Sequence, residues 1–199
     1  VTTWLHRFSI KPGHLDPYLD LWAEERRLRA EAGFAVRRAF LQEHAEPKLT
    51  YLYEHADPAA DIAYESRPEV VDLRAAAAPH VFRNTLVRPV RVESMAAGTA
   101  DEAQRIAILR RYSIVGEWSE FLAIWRRIVP VRERYGFRCL VAVADEPAAM
   151  FTWAFDFAGT WDEFPAAQRP YYADPERIAL RQVFDHMADY TIDPARILV

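Results

Sequence analysis

The chain has 199 residues, 51% hydrophobic and 13% aromatic, with a net charge of −4 and an isoelectric point of about 5.9. This composition supports packed cores and excludes a chain too polar to bury itself. Acids and arginines are mixed along the sequence rather than gathered in basic blocks, so nucleic acid is not an expected partner.

The opening residues Val1-Thr2-Thr3-Trp4 lead straight into a strand pattern, with no basic segment followed by a long apolar stretch. Secretion and membrane spanning are therefore not expected, and a cytoplasmic protein is. Thr3 to Ile10 predicts a first strand, stopped by Pro12-Gly13, and a helix follows from about His14 to Ala32. Gly33 stands where a helix end favours a residue that tolerates positive φ. Phe34 to Glu43 and Leu49 to His55 predict a hairpin across Ala45-Glu46-Pro47-Lys48, and Val87 to Glu93 a closing strand. Ser94 to Gln104, small and polar without periodicity, reads as a linker.

The same series then recurs. Leu5-His6-Arg7-Phe8-Ser9-Ile10 is matched by Leu109-Arg110-Arg111-Tyr112-Ser113-Ile114 at a shift of 104 residues. Trp22 with Trp125 and Gly33-Phe34 with Gly136-Phe137 follow at 103, and Arg67-Pro68 with Arg169-Pro170 and Val81-Phe82 with Val183-Phe184 at 102. The drift places single-residue gaps in turns. In the second copy a helix is predicted from Trp118 to Tyr135, with Pro130 kinking it or ending it early, and a hairpin from Phe137 to Ala144 and Met150 to Phe157. A second helix carries Leu180, Val183, Phe184 and Met187 on one face, and Thr191 to Val199 closes the copy.

Strand, helix, strand, strand, helix, strand is the ferredoxin-like arrangement. The expected fold is α+β: two tandem ferredoxin-like modules, residues 1–93 and 106–199 joined by a linker at 94–105, packed sheet to sheet as an αβ barrel, a pseudo-dimer in one chain. The strands carry apolar residues on both parities, so each module needs cover on its second sheet face, and its sibling supplies it. Such a chain is complete as a monomer, and a homodimer stays open.

The turn Phe8-Ser9-Ile10-Lys11-Pro12-Gly13, the helical Trp followed by Gly-Phe, and Tyr171-Tyr172-Ala173-Asp174-Pro175-Glu176-Arg177 resemble the NIPSNAP-like family of the dimeric α+β barrel superfamily. The resemblance implies a small ligand between sheet and helix. Relatives in the superfamily include cofactor-independent monooxygenases, haem-binding enzymes and cyclases acting on polyketides. The family often places Arg two residues before the first strand's aromatic, where copy two has Arg110 and copy one has His6. Copy two also ends its turn as Val115-Gly116-Glu117, without the Pro. No catalytic signature is shared residue by residue.

The scattered glycines form no phosphate cradle, and neither a nucleophile elbow nor a His-Glu-x-x-His helix is present. His6, on the strand parity of Trp4, Phe8 and Ile10, is a candidate general base; its other reading is a neutral packing residue. Arg110 and Tyr112 take the equivalent places in copy two and are candidates to orient a polar group, since an inward guanidinium needs a carboxylate or an anionic ligand. Glu54 and Asp156, matching acids on the third strands, neutralise such a cation, do acid–base work, or face outward. Tyr51, Tyr53, Trp153 and Phe155 alternate on one sheet face and, with Trp4, are candidate substrate walls; Tyr172 is a candidate lid residue. The histidines give no chelating pair, so no metal is expected. The lone Cys139 reads as an inert buried thiol. The function read from these residues is a cofactor-independent enzyme of monooxygenase, cyclase or isomerase type acting on a hydrophobic aromatic or polyketide-like metabolite. A non-catalytic carrier of such a small molecule is the alternative, as is haem binding through His80 or His186.

Overall fold

The computed structural model describes residues 1–55 and 58–199, which form two compact units. The first holds Val1–Val90 with Leu198–Val199, and the second Arg91–Ile197. In the first unit, strands β1 (Thr2–Ser9), β2 (Ala35–Gln42), β3 (Lys48–His55) and the start of β4 (Leu86–Met95) form an antiparallel sheet in the order β4-β1-β3-β2. His6 lies opposite Tyr51 of β3 on one side and Val87 of β4 on the other. Helix α1 spans Leu15–Glu31, and Gly33, at φ 85°, turns the chain out of it into β2. The segment between β3 and β4 carries α2 (Pro58–Glu65) and α3 (Pro68–Ala77), each opening on a proline whose fixed φ suits a first helical turn. Phe8, Tyr18, Trp22, Phe34, Tyr51, Tyr53 and Tyr64 dominate the core of this unit.

The second unit repeats the plan. Its strands β5 (Ile106–Ile114), β6 (Cys139–Asp145), β7 (Met150–Phe157) and β8 (Met187–Ile197) pair in the order β8-β5-β7-β6, all antiparallel. This is the first unit's order again, and both are the ferredoxin-like order expected from the sequence. Residues 91–95 of β4 continue past the first unit and pair with β6, while Leu198 and Val199 bond to Ala39 of β2. The division between the units therefore falls inside β4, a few residues before the polar stretch read as a linker, because backbone pairing rather than composition sets it.

Two helical expectations change in the second unit. Helix α4 runs Trp118–Glu133 straight through Pro130, which stands exposed in its last turns. The carbonyl that loses its partner belongs to Arg126, itself on the solvent side, so water can satisfy it. The single second helix is replaced by three short ones, α5 (Phe164–Ala167), α6 (Arg169–Ala173) and α7 (Pro175–Ala179), and a 3₁₀ segment from Arg181 to His186. Pro165, Pro170 and Pro175 each restart the chain in a first turn, which no continuous helix allows. Leu180 and Val183 are buried as expected, but Phe184 is exposed and Met187 opens β8.

Burial pushes the Cys139 thiol up to about 11, as its inert reading expects. Among the described residues, no helix is long and apolar enough to cross a membrane.

Candidate functional site

A cavity of about 440 Å³ opens in the first unit among β1, α1, α3 and the segment leading into β4. Its size lies within the range of small-molecule sites. The walls are mostly apolar, with Phe8, Tyr18, Trp22, Tyr53, Val70 and Leu73 among them. Into these walls are set His6, two acids, Glu25 and Glu65, and three arginines, Arg29, Arg74 and Arg83.

His6 is buried in the wall of this cavity. Its Nδ1 is hydrogen-bonded to the Tyr51 hydroxyl, and that hydroxyl donates to Glu25 Oε1 at 3.5 Å. With the phenol proton directed at Glu25, the phenol oxygen accepts from Nδ1–H, which leaves Nε2 as the basic nitrogen. Burial pushes the imidazole down to about 4; Glu25 opposes the shift, and Arg29 and Arg74 add to it. The cations acting on His6 thus come from its own unit. Arg110, which takes the place of His6 in copy two, is not among them. Burial likewise holds the Tyr51 and Tyr18 phenols well above their ordinary values, so both remain protonated donors.

The charges around His6 are neutralised in place. Arg29, only 2% exposed, lies 3.1 Å from Glu25 and stacks its guanidinium on Phe34, Tyr53 and Tyr64. Arg74 pairs with Glu65 at 2.6 Å and approaches Glu25 at 3.8 Å. None of these four charged residues was singled out in the sequence. They sit on helices α1, α2 and α3, where apolar periodicity does not single out charged residues. The available signal was the repeat itself, which sets Arg29 against Arg132 at a shift of 103.

A second cavity, of about 390 Å³, lies in the second unit and is lined by Arg110, Tyr112, Gln168, Tyr172, Phe184, Met187, Tyr190 and Ile192. The residues expected to form one site are therefore divided: His6 and Tyr53 line the first cavity, and Arg110, Tyr112 and Tyr172 the second. Tyr51 stands behind His6 and touches it through the hydrogen bond. Trp4 is half-buried and packs against the first core without lining the first cavity. Trp153 borders a hollow of only about 20 Å³ with Arg110 and Tyr112. Phe155 is fully buried beneath the guanidinium of Arg132.

The two strand acids lie outside both sets of lining residues. Asp156 has no exposed surface and is held by Arg105 at 2.8 Å and by Arg138. Glu54 pairs with Arg37 at 2.6 Å and accepts from Thr3. Neither neutralises Arg110. His80 meets His14, Nδ1 to Nδ1, at 2.9 Å, and neither His80 nor His186 lines either cavity, so neither is placed to ligate a haem held in one of them. Among the described residues, no group of three or more His, Cys, Asp or Glu side chains is placed to hold a metal ion.

No protein-family model matches the chain, and no curated protein matches it in sequence. Solved structures do resemble it. A candidate monooxygenase of Fusobacterium nucleatum superposes with a TM-score of 0.68 at 13% identity, over 100% of this chain and 92% of that one. A candidate monooxygenase of Lactobacillus acidophilus gives 0.65 at 8%, over 99% and 94%. An anthrone oxidase-like protein gives 0.64 at 9%, over 100% and 91%. At these identities the likeness shows the fold, α+β with antiparallel strands, and leaves the chemistry to the residues of this chain.

Proposed function

We propose that the protein is a small-molecule enzyme that removes a proton from a hydrophobic, aromatic, enolisable metabolite held in the first-unit cavity, with His6 as the general base and no resident cofactor. The observation that carries this reading is the neutral imidazole of His6 in the cavity wall, backed by Tyr51 and Glu25. A base must be unprotonated at working pH, and burial secures that here. When His6 takes the proton, the Nδ1 contact to Tyr51 and the carboxylate of Glu25 behind it stabilise the imidazolium that forms. Tyr18, held as a phenol in the same wall, can donate to the enolate oxygen of the substrate.

Of the reaction classes open to such a base, oxygenation is the one we favour, because the similar folds include candidate monooxygenases and an anthrone oxidase-like protein. The carbanion released at a methylene carbon is itself the reductant. It passes electrons to dioxygen, the carbon becomes a carbonyl, and the second oxygen atom leaves as water, so CH₂ and O₂ give C=O and H₂O. Membership of the NIPSNAP-like family within this superfamily is part of the same proposal and rests on the turn and helix motifs.

The test is dioxygen uptake by the purified chain with anthrone and related aryl ketones carrying an acidic methylene. Uptake that depends on the ketone and falls in His6→Phe supports the reading. Tight binding of these ketones without turnover by a folded wild-type protein would instead make it a carrier.

A further inference from the structure

The two units hold the same buried arginine in opposite electrostatic settings. Arg29 in α1 and Arg132 in α4 are equivalent, each nearly fully buried and each stacked on the aromatic rings of its own unit. Arg29 has Glu25 one helical turn before it. At the same place before Arg132 stands Ile128, and the counterpart of Glu65 at the shift set by Arg67 and Arg169 is Ala167, with Gln168 beside it. Copy two has thus lost both acids. It has also gained a cation, since Arg110 stands where copy one has His6.

Three arginines, Arg110, Arg132 and Arg177, therefore share a tyrosine-rich region of the second unit, and among the described residues no carboxylate pairs with any of them. Among the described residues, Arg110 is hydrogen-bonded to the hydroxyls of Tyr112 at 3.1 Å and Tyr172 at 3.5 Å and lies 5.9 Å from the centroid of the Tyr190 ring, and its Nε has no hydrogen-bond partner. Arg132 leaves Nε and Nη1 without partners. The response of the neighbours agrees: burial pushes the Tyr172 phenol up, but Arg110, Arg132 and Arg177 outweigh it and hold it below its ordinary value. Arg132 is itself driven down by burial and by Arg110, whereas Arg29 is held up against burial by Tyr51 and Glu25. Ring faces offset part of the cost of a buried guanidinium, but three such charges without an anion remain expensive.

We infer that the second-unit cavity is a binding site for a small aromatic carboxylate, whose anionic group meets Arg110 and whose ring lies among Tyr112, Tyr172, Phe184 and Tyr190. Arg110 is 8% exposed and lines this 390 Å³ cavity, so its charge is aimed at the space a ligand fills. Gln168, whose Oε1 is buried without a partner, lines the same space and supplies an amide that can turn its N–H₂ to the ligand. Arg132 and Arg177 stand behind and supply the positive field. A rigid planar guanidinium suits a carboxylate in both shape and charge. This site is separate from the His6 cavity and does not rest on the reaction proposed there.

The test is calorimetric titration of the full chain with 2-naphthoate and with its neutral counterpart 2-naphthamide. The wild-type protein is expected to bind the carboxylate at least about tenfold more tightly than the amide. Arg110→Gln, and Ile128→Glu, which restores the internal acid of copy one beside Arg110, are each expected to weaken naphthoate by at least about tenfold. His6→Phe is expected to leave naphthoate binding intact. No binding of naphthoate to the wild type at millimolar concentration, equal binding of the amide, or unchanged binding by folded Arg110→Gln each overturns the site. Loss in His6→Phe alone would place the ligand in the first cavity and overturn it too. If Arg110→Gln does not fold, the wild-type comparison of carboxylate and amide still decides.

Discussion

The Nδ1 of His6 is hydrogen-bonded to the hydroxyl of Tyr51, across the β1–β3 pair in which the two residues are direct neighbours. One strand register thus places an imidazole, its phenol partner and, through helix α1, the carboxylate of Glu25 in line at one edge of a cavity. The predictions below probe that line and the charges that surround it.

Acid destabilises the protein through His6. In the unfolded chain the imidazole binds a proton below its ordinary value of 6.5, but in the fold only below about 4. Between those values the unfolded state holds more protons, so stability falls as pH falls across this window and is fully present above it. The loss is on the order of 3 kcal/mol. Urea denaturation of the wild type at pH 7, 5 and 4, compared with His6→Phe, checks this; the variant should lose that part of the pH dependence.

With His6 as the proposed base, the same shift sets the expected pH profile of turnover. A base neutral above about 4 gives kcat/KM an acid limb near that value rather than near 6.5. Glu25→Gln removes the group that raises the imidazole, so its acid limb should move lower still, while buried Arg29, left with Glu65 at 3.8 Å, lowers stability by about 2–3 kcal/mol. Rate profiles and melting temperatures on the one variant separate the two effects.

Tyr51→Phe keeps the ring and deletes the hydroxyl. The Nδ1–H of His6 then lacks its acceptor, with a stability cost of about 1–2 kcal/mol, and turnover should fall by about tenfold because the imidazolium loses its support. A thermal melt with a rate measurement at saturating substrate checks both.

Asp156→Asn tests whether the strand acid is part of the framework. Its carboxylate has no exposed surface and holds both Arg105 and Arg138, so the variant should be destabilised by about 3 kcal/mol, read as a fall in melting temperature.

The repeat made the fold legible. Trp22 with Trp125 and Gly33 with Gly136 fixed the helix register and ends, and the hairpins followed from the prolines and acids between their strands. His6 was legible because a titratable residue stood in an aromatic strand. The ion pairs were not, since Glu25, Arg29, Glu65 and Arg74 look like solvated helix residues until the structure folds them over Tyr53 and Tyr64. The broken second helix of copy two was hidden for another reason. An apolar spacing at Leu180, Val183 and Phe184 outweighed three prolines that divide the segment, although each proline fixes a new first turn. Asp156 and Glu54 match by position in the repeat, and Arg138 and Arg37 stand across the predicted hairpins from them, but strand pattern alone does not tell which charges at the strand ends meet.

The most direct measurement is hydrogen–deuterium exchange at the acidic methylene of anthrone, followed by proton NMR in deuterated buffer without oxygen. This isolates proton removal from every later step. The account predicts that the wild-type protein accelerates exchange and that folded His6→Phe loses that acceleration by about a hundredfold or more. Exchange by His6→Phe at the wild-type rate, with the ketone still bound, would contradict it.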